Sequence, residues 1–401
     1  MKILTINCGS SSVKYQFINL EDEFVLAEGI CEKIAEGNSL FTYKSEKFTT
    51  KKQAAELPSH QEAIKLILET LQHPQNGCIT DISEIDAVGH RLVHAGEHYN
   101  GTVLIDDHVI SVMEDCIPLA PLHNPANIIG VKAMQALMPD IPQCGLFDTA
   151  FHQTMPSKAY LYPLPYEYYT KNKIRRYGFH GTSHKFVAQQ AAQHLNIPLD
   201  QLKIITCHAG NGASITAIDR EKSVDTSMGF TPLEGLMMGT RCGDLDPAIP
   251  LYMQRQFGLS VDEVDTILNK KSGILGLSEM DSDMRPIEDG LDNGDPDAIR
   301  AFEVYCYRIK KYIGAYTAAM NGLDVLVFTG GVGENMPHLR DWVCRDMEYL
   351  GIKFNNDVNY RRGSEIFDLH QPDSHVKVLK ISTNEELMIA LETEKLLNSR
   401  S

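Results

Sequence analysis

The chain has 401 residues, of which 43% are hydrophobic and 22% are charged. This length is too great for one ordinary core and predicts two domains of about 200 residues. Its 53 acidic residues outnumber the 37 basic ones, and the net charge of −16 excludes nucleic acid and anionic membranes as main partners. The nine cysteines are scattered and form no C-x-x-C pair, and Ile3 to Ile6 is the only apolar run near the N-terminus. We therefore expect reduced thiols, no signal peptide, no membrane span and a cytoplasmic protein.

The first half alternates predicted strands with predicted helices, which indicates an α/β layer arrangement. Strands are predicted at residues 2–8, 13–20, 39–49, 85–92 and 144–147, and helices at 60–71 and 128–137. Three prolines (Pro118, Pro121 and Pro125) interrupt the segment before the second helix.

The second half repeats this plan after a segment rich in Pro and Tyr, 156–176, where we place a domain boundary. A strand, a glycine turn and a strand follow at 203–219, and a glycine-rich connection runs from 228 to 247. A long helix at 297–320 leads to a buried strand at 324–329, and the last helix is predicted at 385–397.

Two stretches 201 residues apart share one pattern. Lys2, Thr5 and Gly9 of KILTINCGSSSVKYQFINL align with Lys203, Thr206 and Gly210 of KIITCHAGNGASITAID. A strand–turn–strand with glycine and hydroxyl groups presents N–H groups and serine oxygens to an anion. The repeat indicates a duplicated fold that binds phosphate through both copies.

Three strand–glycine-turn elements are candidates for phosphate binding: CGSSS (8–12), HAGNG (208–212) and GGVGEN (330–335). The chain has no G-x-x-x-x-G-K-[ST] sequence, no complete dinucleotide turn and no G-x-S-x-G sequence. A single glycine turn is usually only a hairpin, but three of them, two in repeat register, favour a nucleotide site. Lys14, just after the first turn, is either a phosphate ligand or a solvated lysine of a strand.

Arg91 and Asp148 are the strongest single candidates in the first half. Arg91 lies in an apolar strand, where a buried guanidinium needs an anionic partner, either a substrate or a structural carboxylate. Asp148 follows an apolar strand and is either a cap or a ligand-facing group. His90 and His94 would lie about 13 Å apart on one face of a strand, and no third ligand is indicated, so a metal site there is excluded.

Three further candidates lie near glycines or at a helix end. His180 and Arg241 occur in glycine-flanked loops, where catalytic groups are often carried, although a single loop residue is more often only solvated. Glu385 opens the last helix, where capping alone explains an acidic residue.

Taken together, these segments resemble the acetate/propionate kinase family over essentially the whole chain. The matching strings are NCGSSSVKY, GHRLVHAGE, LAPLHNP, FDTAFHQTMP, RRYGFHGTSH, HAGNGASI, DTSMGFTPLEGLMMGTRCGDLDP, NKKSG, FTGGVGEN and TNEE. Ala95 and Ala209 depart from the pattern expected near the site, and neither change removes a functional side chain.

The resemblance implies an α/β fold of the duplicated actin-like ATPase type, with two similar domains and the active site in the cleft between them. It places the N-terminal domain at 1–150 plus 386–401 and the C-terminal domain at 151–385. It also implies a homodimer that uses ATP or ADP, acetate or acetyl phosphate, and Mg²⁺, with Mn²⁺ as the alternative ion.

The resemblance also assigns individual residues. The implied catalytic residues are Arg91, Asp148, His180 and Arg241. The implied substrate pocket is formed by Arg91, Val93, Leu122, His123, Phe179 and Pro232. The implied nucleotide ligands are Ser10, Ser12, Lys14, His208, Ala209, Gly210, Asn211, Gly212, Asp283, Met284, Arg285, Gly331, Val332, Gly333, Glu334 and Asn335. Asn7 and Glu385 are implied at the metal, with waters between.

The expected reaction is direct in-line transfer of a phosphoryl group from ATP to acetate, because acetate is already ionised and needs little base catalysis. A covalent phospho-enzyme at Asp148 is the mechanistic alternative. Propionate or butyrate is the alternative substrate, since one methylene changes discrimination by only about 1–3 kcal/mol. A non-metabolic actin-like ATPase is the alternative from another class, and it would leave Arg91, His180 and Arg241 without a role.

Overall fold

The computed structural model describes residues 1–363 and 366–400. By its internal contacts the chain divides into two compact units, which we call unit 1 (Met1–Gln153 and Asn384–Ser401) and unit 2 (Thr154–Thr383). The domain boundaries expected from the sequence, 1–150 with 386–401 and 151–385, stay a prediction about independently folding domains. The last residue of the first range, Ser401, lies outside the described residues.

The described part of unit 1 has one eight-stranded sheet in the order β5-β4-β3-β2-β1-β6-β8-β7. Its strands are β1 (Lys2–Gly9), β2 (Ser12–Asn19), β3 (Phe24–Glu32), β4 (Leu40–Ser45), β5 (Thr49–Ala54), β6 (Ala87–Leu92), β7 (Val103–Leu104) and β8 (Gln143–Phe147). β1, β6 and β8 are parallel neighbours, whereas β1 to β5 form an antiparallel meander.

Four of these strands, β3, β4, β5 and β7, differ from the prediction, and β7 was not predicted. The single strand expected at 39–49 is a hairpin of β4 and β5. β3 was not predicted, because Glu28 and Gly29 interrupt its apolar alternation. Gly29 is required there, since a Cβ on it would lie 2.0 Å from the carbonyl oxygen of Thr42 on β4.

The first helices of the chain are α1 (His60–Leu71), α2 (Asp107–Asp115) and α3 (Asn124–Leu137). α1 has the predicted bounds, and Ser59 caps it by accepting a hydrogen bond from the Gln61 N–H. α2 was not predicted. α3 begins at Asn124 and not at Ile128, because Pro125 in its first turn is pre-organised for a helix start and does not break the helix.

Unit 2 contains the second sheet, which has six strands in its described part, in the order β11-β10-β9-β12-β14-β13. The strands are β9 (Lys203–Ala209), β10 (Ala213–Asp219), β11 (Lys222–Thr226), β12 (Val325–Thr329), β13 (Phe367–Asp368) and β14 (Lys377–Lys380). β9, β12 and β14 are parallel neighbours, and β9, β10 and β11 are antiparallel.

The two sheets share one core topology. β3-β2-β1-β6-β8 in unit 1 corresponds to β11-β10-β9-β12-β14 in unit 2, with three antiparallel strands followed by two parallel neighbours in both. Lys2 and Lys203, which the 201-residue offset aligns, are the first residues of β1 and β9. The predicted duplicated α/β fold of the actin-like type is therefore confirmed for the two sheets.

The helices of unit 2 lie between and after these strands. They are α4 (Ser157–Tyr160), α5 (Glu167–Asn172), α6 (Gly181–Leu195), α7 (Ala248–Phe257), α8 (Val261–Lys270), α9 (Gly273–Ser278), α10 (Met284–Asn293), α11 (Pro296–Met320), α12 (Gly330–Asn335), α13 (Pro337–Cys344) and α14 (Asn356–Asn359). The prediction of a glycine turn at 330–335 is wrong, because GGVGEN forms the helix α12 directly after β12. In the described part of the chain, each helix is too short or too polar to cross a membrane.

The last helix, α15 (Glu385–Asn398), returns to unit 1 and packs on β1 and β6. Asn384 caps it by accepting a hydrogen bond from the Leu387 N–H at 3.0 Å, so the predicted capping signal is confirmed. Gly89 on β6 allows this packing, since a Cβ there would lie 2.6 Å from Ile389 Cγ2 of α15. α15 thereby covers one face of the parallel strands and brings its N-terminal end to their carboxyl edge.

Candidate active site

The first group of candidate residues lies where the parallel strands of unit 1 end. Side chains alternate along a strand, so Asn7 shares the face of Ile3, and Arg91 shares the face of Ala87. Ile3 and Ala87 pack against Ala390 of α15. Asn7 and Arg91 therefore lie on the α15 side of two adjacent parallel strands, at the edge where ligands bind in α/β sheets.

Arg91 and Asp148 form a bidentate ion pair at this edge. Arg91 Nε donates to Asp148 Oδ1 at 3.1 Å, and Arg91 Nη2 donates to Asp148 Oδ2 at 2.8 Å. The Asp148 carboxylate raises the pKa of Arg91 well above its usual range. Burial raises the pKa of Asp148, and the Arg91 charge opposes that rise. Because both Asp148 oxygens accept hydrogen bonds from the guanidinium, the pair is ionised.

The pair leaves one edge of the guanidinium for another ligand. An arginine has five N–H donors, and Asp148 uses only Nε–H and one Nη2–H. Within residues 1–363 and 366–400, no hydrogen-bond acceptor is recorded for Nη1 of Arg91. Glu385 Oε2 lies 3.6 Å from Arg91 Nε, and a quarter of the Arg91 side chain is exposed. The geometry thus offers a forked donor edge suited to a carboxylate or a phosphate.

The turn between β1 and β2 carries the first phosphate-binding candidates. Asn7 is paired directly with Lys14 across the hairpin, and Gly9 is paired with Ser12. Lys14 Nζ forms an ion pair with Glu386, the residue after Glu385. Ser10 is exposed at the tip of the turn. These contacts place the hydroxyl groups, Lys14 and the start of α15 in one region of unit 1.

The residues expected to form the apolar pocket are divided between the units. Val93 is 8% exposed and Leu122 is 74% exposed, and both lie in unit 1 together with the exposed His123. Phe179 and Pro232 lie in unit 2.

Sequence reasoning missed Asn127, a 3% exposed residue of α3 that holds two strand ends together. Its Nδ2 donates to the Cys8 carbonyl oxygen at 2.9 Å, and its Oδ1 accepts from the Val93 N–H at 3.0 Å. A buried amide with both functions satisfied fixes the backbone on both sides of the Asn7 and Arg91 positions. The available signal was an asparagine among the apolar residues of NPANIIG.

In unit 2, the side chains of His180 and Arg241 both approach the backbone at Gly212. A Cβ built on Gly212 would lie 3.3 Å from Arg241 Nη2 and 3.7 Å from His180 Nε2. Burial lowers the pKa of Arg241, and its Nη1 donates to the Pro232 carbonyl oxygen at 2.8 Å. Two nitrogen donors therefore flank the backbone of the HAGNG turn.

His180 precedes α6 in a left-handed conformation, with φ of 56°. Its ring stacks on His208 with centroids 4.4 Å apart. The glycine-flanked loop predicted around His180 therefore exists only on the N-terminal side of this residue, because α6 starts at the next residue. α6 was missed since Gly181, Thr182 and Ser183 have weak helix propensity.

A cavity of about 570 Å³ in unit 2 brings together residues from three separate predicted nucleotide-binding segments. Its lining residues are Gly210, Asn211, Ser282, Asp283, Met284, Arg285, Glu288, Gly331, Val332, Asn335 and Met336. Of the predicted nucleotide ligands in unit 2, His208, Ala209, Gly212, Gly333 and Glu334 are not part of this lining. Its volume is within the range of small-molecule sites, and the exposed Arg285 provides a cation at its wall.

Two residues hold α12, the helix that contributes Gly331, Val332 and Asn335 to the cavity lining, in place. Glu334 Oε1 accepts hydrogen bonds from the Gly330 N–H at 2.9 Å and the Thr383 N–H at 3.1 Å. Arg340, which the sequence reasoning missed, is 1% exposed and donates to the carbonyl oxygens of Gly333 and Glu334. Burial lowers the pKa of Arg340 to about 10. A buried cation thus satisfies the C-terminal carbonyls of α12.

The predicted metal ligands are one amide and one carboxylate of unit 1. Asn7 is paired with Lys14, whose partner Glu386 follows Glu385 on α15. In the described residues, no group of three or more His, Cys, Asp or Glu side chains is arranged to hold a metal. Two oxygen donors without a full protein cage fit Mg²⁺, which keeps several waters and shares substrate phosphates, and do not fit a structural zinc.

The profile of a family described as the acetokinase family matches residues 2–391 of this chain. The chain belongs to the acetokinase family. It is 56% identical over 401 residues to an acetate kinase of Pseudothermotoga lettingae, a match that covers 100% of this chain and 98% of that protein. The crystal structure of Porphyromonas gingivalis acetate kinase is 49% identical with a TM-score of 0.94, and covers 99% of both chains. A propionate kinase structure from Francisella tularensis is 41% identical with a TM-score of 0.90, and covers 98% of both chains.

Membership in the acetokinase family confirms the resemblance drawn from the sequence strings. The roles of the individual site residues stay predictions, which the geometry described above supports to different degrees. The contacts of Arg91 and Asp148 in unit 1 suit the binding of an anion, and so do those of His180 and Arg241 in unit 2. Glu334, by contrast, uses a carboxylate oxygen to hold backbone amides, which is a structural use.

Proposed function

We propose that this chain catalyses the reversible transfer of a phosphoryl group between ATP and acetate, giving acetyl phosphate and ADP. The observation that carries the proposal is the forked donor edge of Arg91, held by Asp148 at the end of the parallel strands. Full-length similarity to proteins named acetate kinase supports it. The nucleotide is proposed to bind in the unit 2 cavity.

In this proposal Arg91 binds the substrate carboxylate, and Asp148 orients Arg91. Acetate is ionised at neutral pH, so the reaction requires positioning and charge neutralisation more than a general base. A covalent intermediate at Asp148 is disfavoured, because both of its oxygens accept charge-assisted hydrogen bonds from Arg91, which lower their nucleophilicity. Direct transfer predicts inversion at a chiral γ-phosphoryl group, and retention would contradict it.

We propose that the negative charge of the phosphoryl group is stabilised during its transfer by Arg241, His180 and the backbone at Gly212. Donors fixed before the reaction stabilise the transition state without reorganisation at the moment of transfer. Ser10, Ser12 and Lys14 of the β1–β2 turn supply further donors. Asn7 and Glu385 would hold Mg²⁺, which neutralises phosphate charge when it is bound.

Acetate is proposed as the preferred acceptor over propionate and butyrate, on the basis of Val93, whose branched side chain restricts the room beside Arg91. The similarity to a propionate kinase gives the alternative a specific basis. Since one methylene is worth about 1–3 kcal/mol, the expected preference is only about tenfold to a hundredfold in kcat/KM.

A cytoplasmic homodimer is proposed from the family resemblance. Light scattering should then give about twice the 44.8 kDa mass of one chain. A mass equal to one chain would contradict the dimer.

Trapping of the product tests the activity directly. Purified protein with ATP, Mg²⁺ and acetate should form an acyl phosphate that hydroxylamine converts into an acyl hydroxamate, measured by its ferric complex. Reactions with propionate and butyrate in place of acetate give the substrate preference. ATP consumption without hydroxamate for any of the three acids would contradict a carboxylate kinase and favour a non-metabolic ATPase.

A further inference from the structure

A buried row of side chains in unit 2 ends at the ring of His180. His180 Nδ1 lies 2.8 Å from Ser214 Oγ on β10, and the same oxygen lies 2.7 Å from His184 Nε2 on α6. His184 Nδ1 lies 2.7 Å from Thr206 Oγ1 on β9. Thr206, His184 and Ser214 are fully buried. We call these three residues and His180 the relay.

Only the His180 end of the relay reaches the candidate active site. The relay uses Nδ1 of His180, and Nε2 lies beside Gly212 and Arg241. The hydrogen atoms of the relay therefore decide whether Nε2 presents a donor or an acceptor to an anionic ligand.

Counting protons leaves two arrangements. The Ser214 hydroxyl has one proton, so it donates to one histidine and accepts from the other. His184, buried between two hydroxyl groups, is favoured as the neutral ring with a single N–H. In the outward arrangement, Thr206 donates to His184, His184 donates to Ser214, and Ser214 donates to His180 Nδ1. In the inward arrangement, all three hydrogen bonds are reversed.

Thr206 decides between the two arrangements. Throughout the described part of the chain, its Oγ1 has no recorded hydrogen-bond partner other than His184. In the inward arrangement the Thr206 proton would be buried without an acceptor, whereas the outward arrangement uses it. An unsatisfied buried donor biases such an equilibrium by roughly tenfold to a hundredfold. The outward arrangement is therefore favoured.

The charged and titratable groups around His180 agree with this direction. Arg241 faces the ring from the loop before α7, His208 stacks on it from β9, and His184 faces it from its own helix. A guanidinium beside the ring disfavours a second positive charge. A neutral ring with its hydrogen on Nε2 supplies a donor without taking up a proton.

We propose that Thr206, His184 and Ser214 are positioning residues that fix His180 as the neutral tautomer with its hydrogen on Nε2. A donor then faces the phosphoryl group at any pH at which the ring is neutral. The link to the phosphoryl group rests on the proposed function, whereas the tautomer itself does not.

The tautomer can be measured in the full-length protein without substrates, from the ring ¹⁵N shifts of labelled histidine. A His180→Gln variant identifies the His180 signals. The expected wild-type result between pH 7 and 8 is a protonated Nε2 and an unprotonated Nδ1. A hydrogen on Nδ1, or a doubly protonated ring at pH 7.5, would overturn the proposal.

Two substitutions test whether the relay causes this state. Thr206→Val removes the donor with little change in shape, and Ser214→Ala removes the bridging hydroxyl. Both should shift His180 to a mixture that contains the Nδ1–H form, and Ser214→Thr should restore the wild-type signals. Unchanged signals in Thr206→Val would overturn the proposed direction, and this variant serves even where Ser214→Ala fails to fold.

Ser183→Ala is the matched control, since it removes a buried hydroxyl of α6 that lies outside the relay and hydrogen bonds to His208 Nδ1 at 2.8 Å. It should leave the His180 tautomer unchanged. In kinetics, Ser214→Ala should lower kcat by about tenfold to a hundredfold with smaller changes in the KM values, and its kcat should become dependent on pH below 7. A normal tautomer in a protein without acetate kinase activity would contradict only the proposed function.

Discussion

Arg91→Ala should separate the structural use of the guanidinium from its use in substrate binding. The substitution removes hydrogen bonds of 3.1 and 2.8 Å and leaves the Asp148 carboxylate, whose side chain is 5% exposed, without its counter-charge. Breaking one side of a buried pair costs about 3–5 kcal/mol of unfolding free energy. Because Arg91 is a quarter exposed, we expect the lower end, about 3 kcal/mol.

Substrate binding should suffer a separate loss. Hydrogen bonds to charged groups contribute about 1.5–3 kcal/mol each, so losing the outer donor edge should raise the KM for acetate by about a hundredfold or more. The KM for ATP should change by less than about threefold, since the cavity proposed for the nucleotide is lined by residues of unit 2. Initial rates with each substrate varied in turn, together with urea unfolding, measure both effects.

A double-mutant cycle with Asp148→Ala distinguishes the two contributions. The unfolding costs of the single variants should exceed, in sum, the cost of Arg91→Ala/Asp148→Ala, because the double variant leaves no unpaired charge. Arg345→Ala is the control, as it breaks an ion pair with Asp341 in unit 2. An unchanged acetate KM in a folded Arg91→Ala protein would refute the substrate role of Arg91.

Three other perturbations have defined outcomes. Arg241→Leu should lower kcat by about a hundredfold or more in a protein that still folds, since it removes a fixed donor; a loss of less than twofold would contradict its role. Arg340→Met should raise the KM for ATP by about tenfold and leave the acetate KM nearly unchanged, because two C-terminal carbonyls of α12 lose their donor. Equal rises in both KM values would contradict this. His90 affects stability at acidic pH, because burial lowers its pKa to about 4. The unfolded ring takes up a proton below about pH 6.5 and the folded ring does not, so stability present above pH 6.5 is lost as the pH falls toward 4, by about 3 kcal/mol. Unfolding free energies of wild type and His90→Asn at pH 7 and pH 5 test this, and equal losses on acidification would contradict it.

The fold class was predictable because periodicity and glycine placement are local properties. The apolar run that opens β1 recurs at β9, and α1 was predicted with its observed bounds. β3 and α6 were not predicted, since each contains residues of weak intrinsic preference whose conformation depends on packing in the tertiary structure. GGVGEN was interpreted as a turn because three glycines obscure a six-residue helix.

The candidate site was predictable as a set of residue types but not as an arrangement. Gly-rich turns and the polar residues at strand ends indicated anion binding in both halves of the chain. Asn127 and Arg340 could not be found in this way, since both satisfy backbone groups of other elements. For Asn127 these groups are 34 and 119 positions away, and for Arg340 they belong to the preceding helix, α12. Glu334 was assigned to the nucleotide, whereas its carboxylate accepts hydrogen bonds from backbone amides.

The sequence by itself determined that this is a duplicated α/β protein and predicted phosphate-binding turns in it, because strand periodicity, glycine placement and the 201-residue repeat are local properties of the sequence. Only the tertiary structure decided the partners of each charged group: Asp148 for Arg91, Glu386 for Lys14, and Ser214 for His180. Hydrogen bonds and ion pairs act over a few ångströms in space, and residues separated by tens or hundreds of positions meet only when the sheets and helices have assembled.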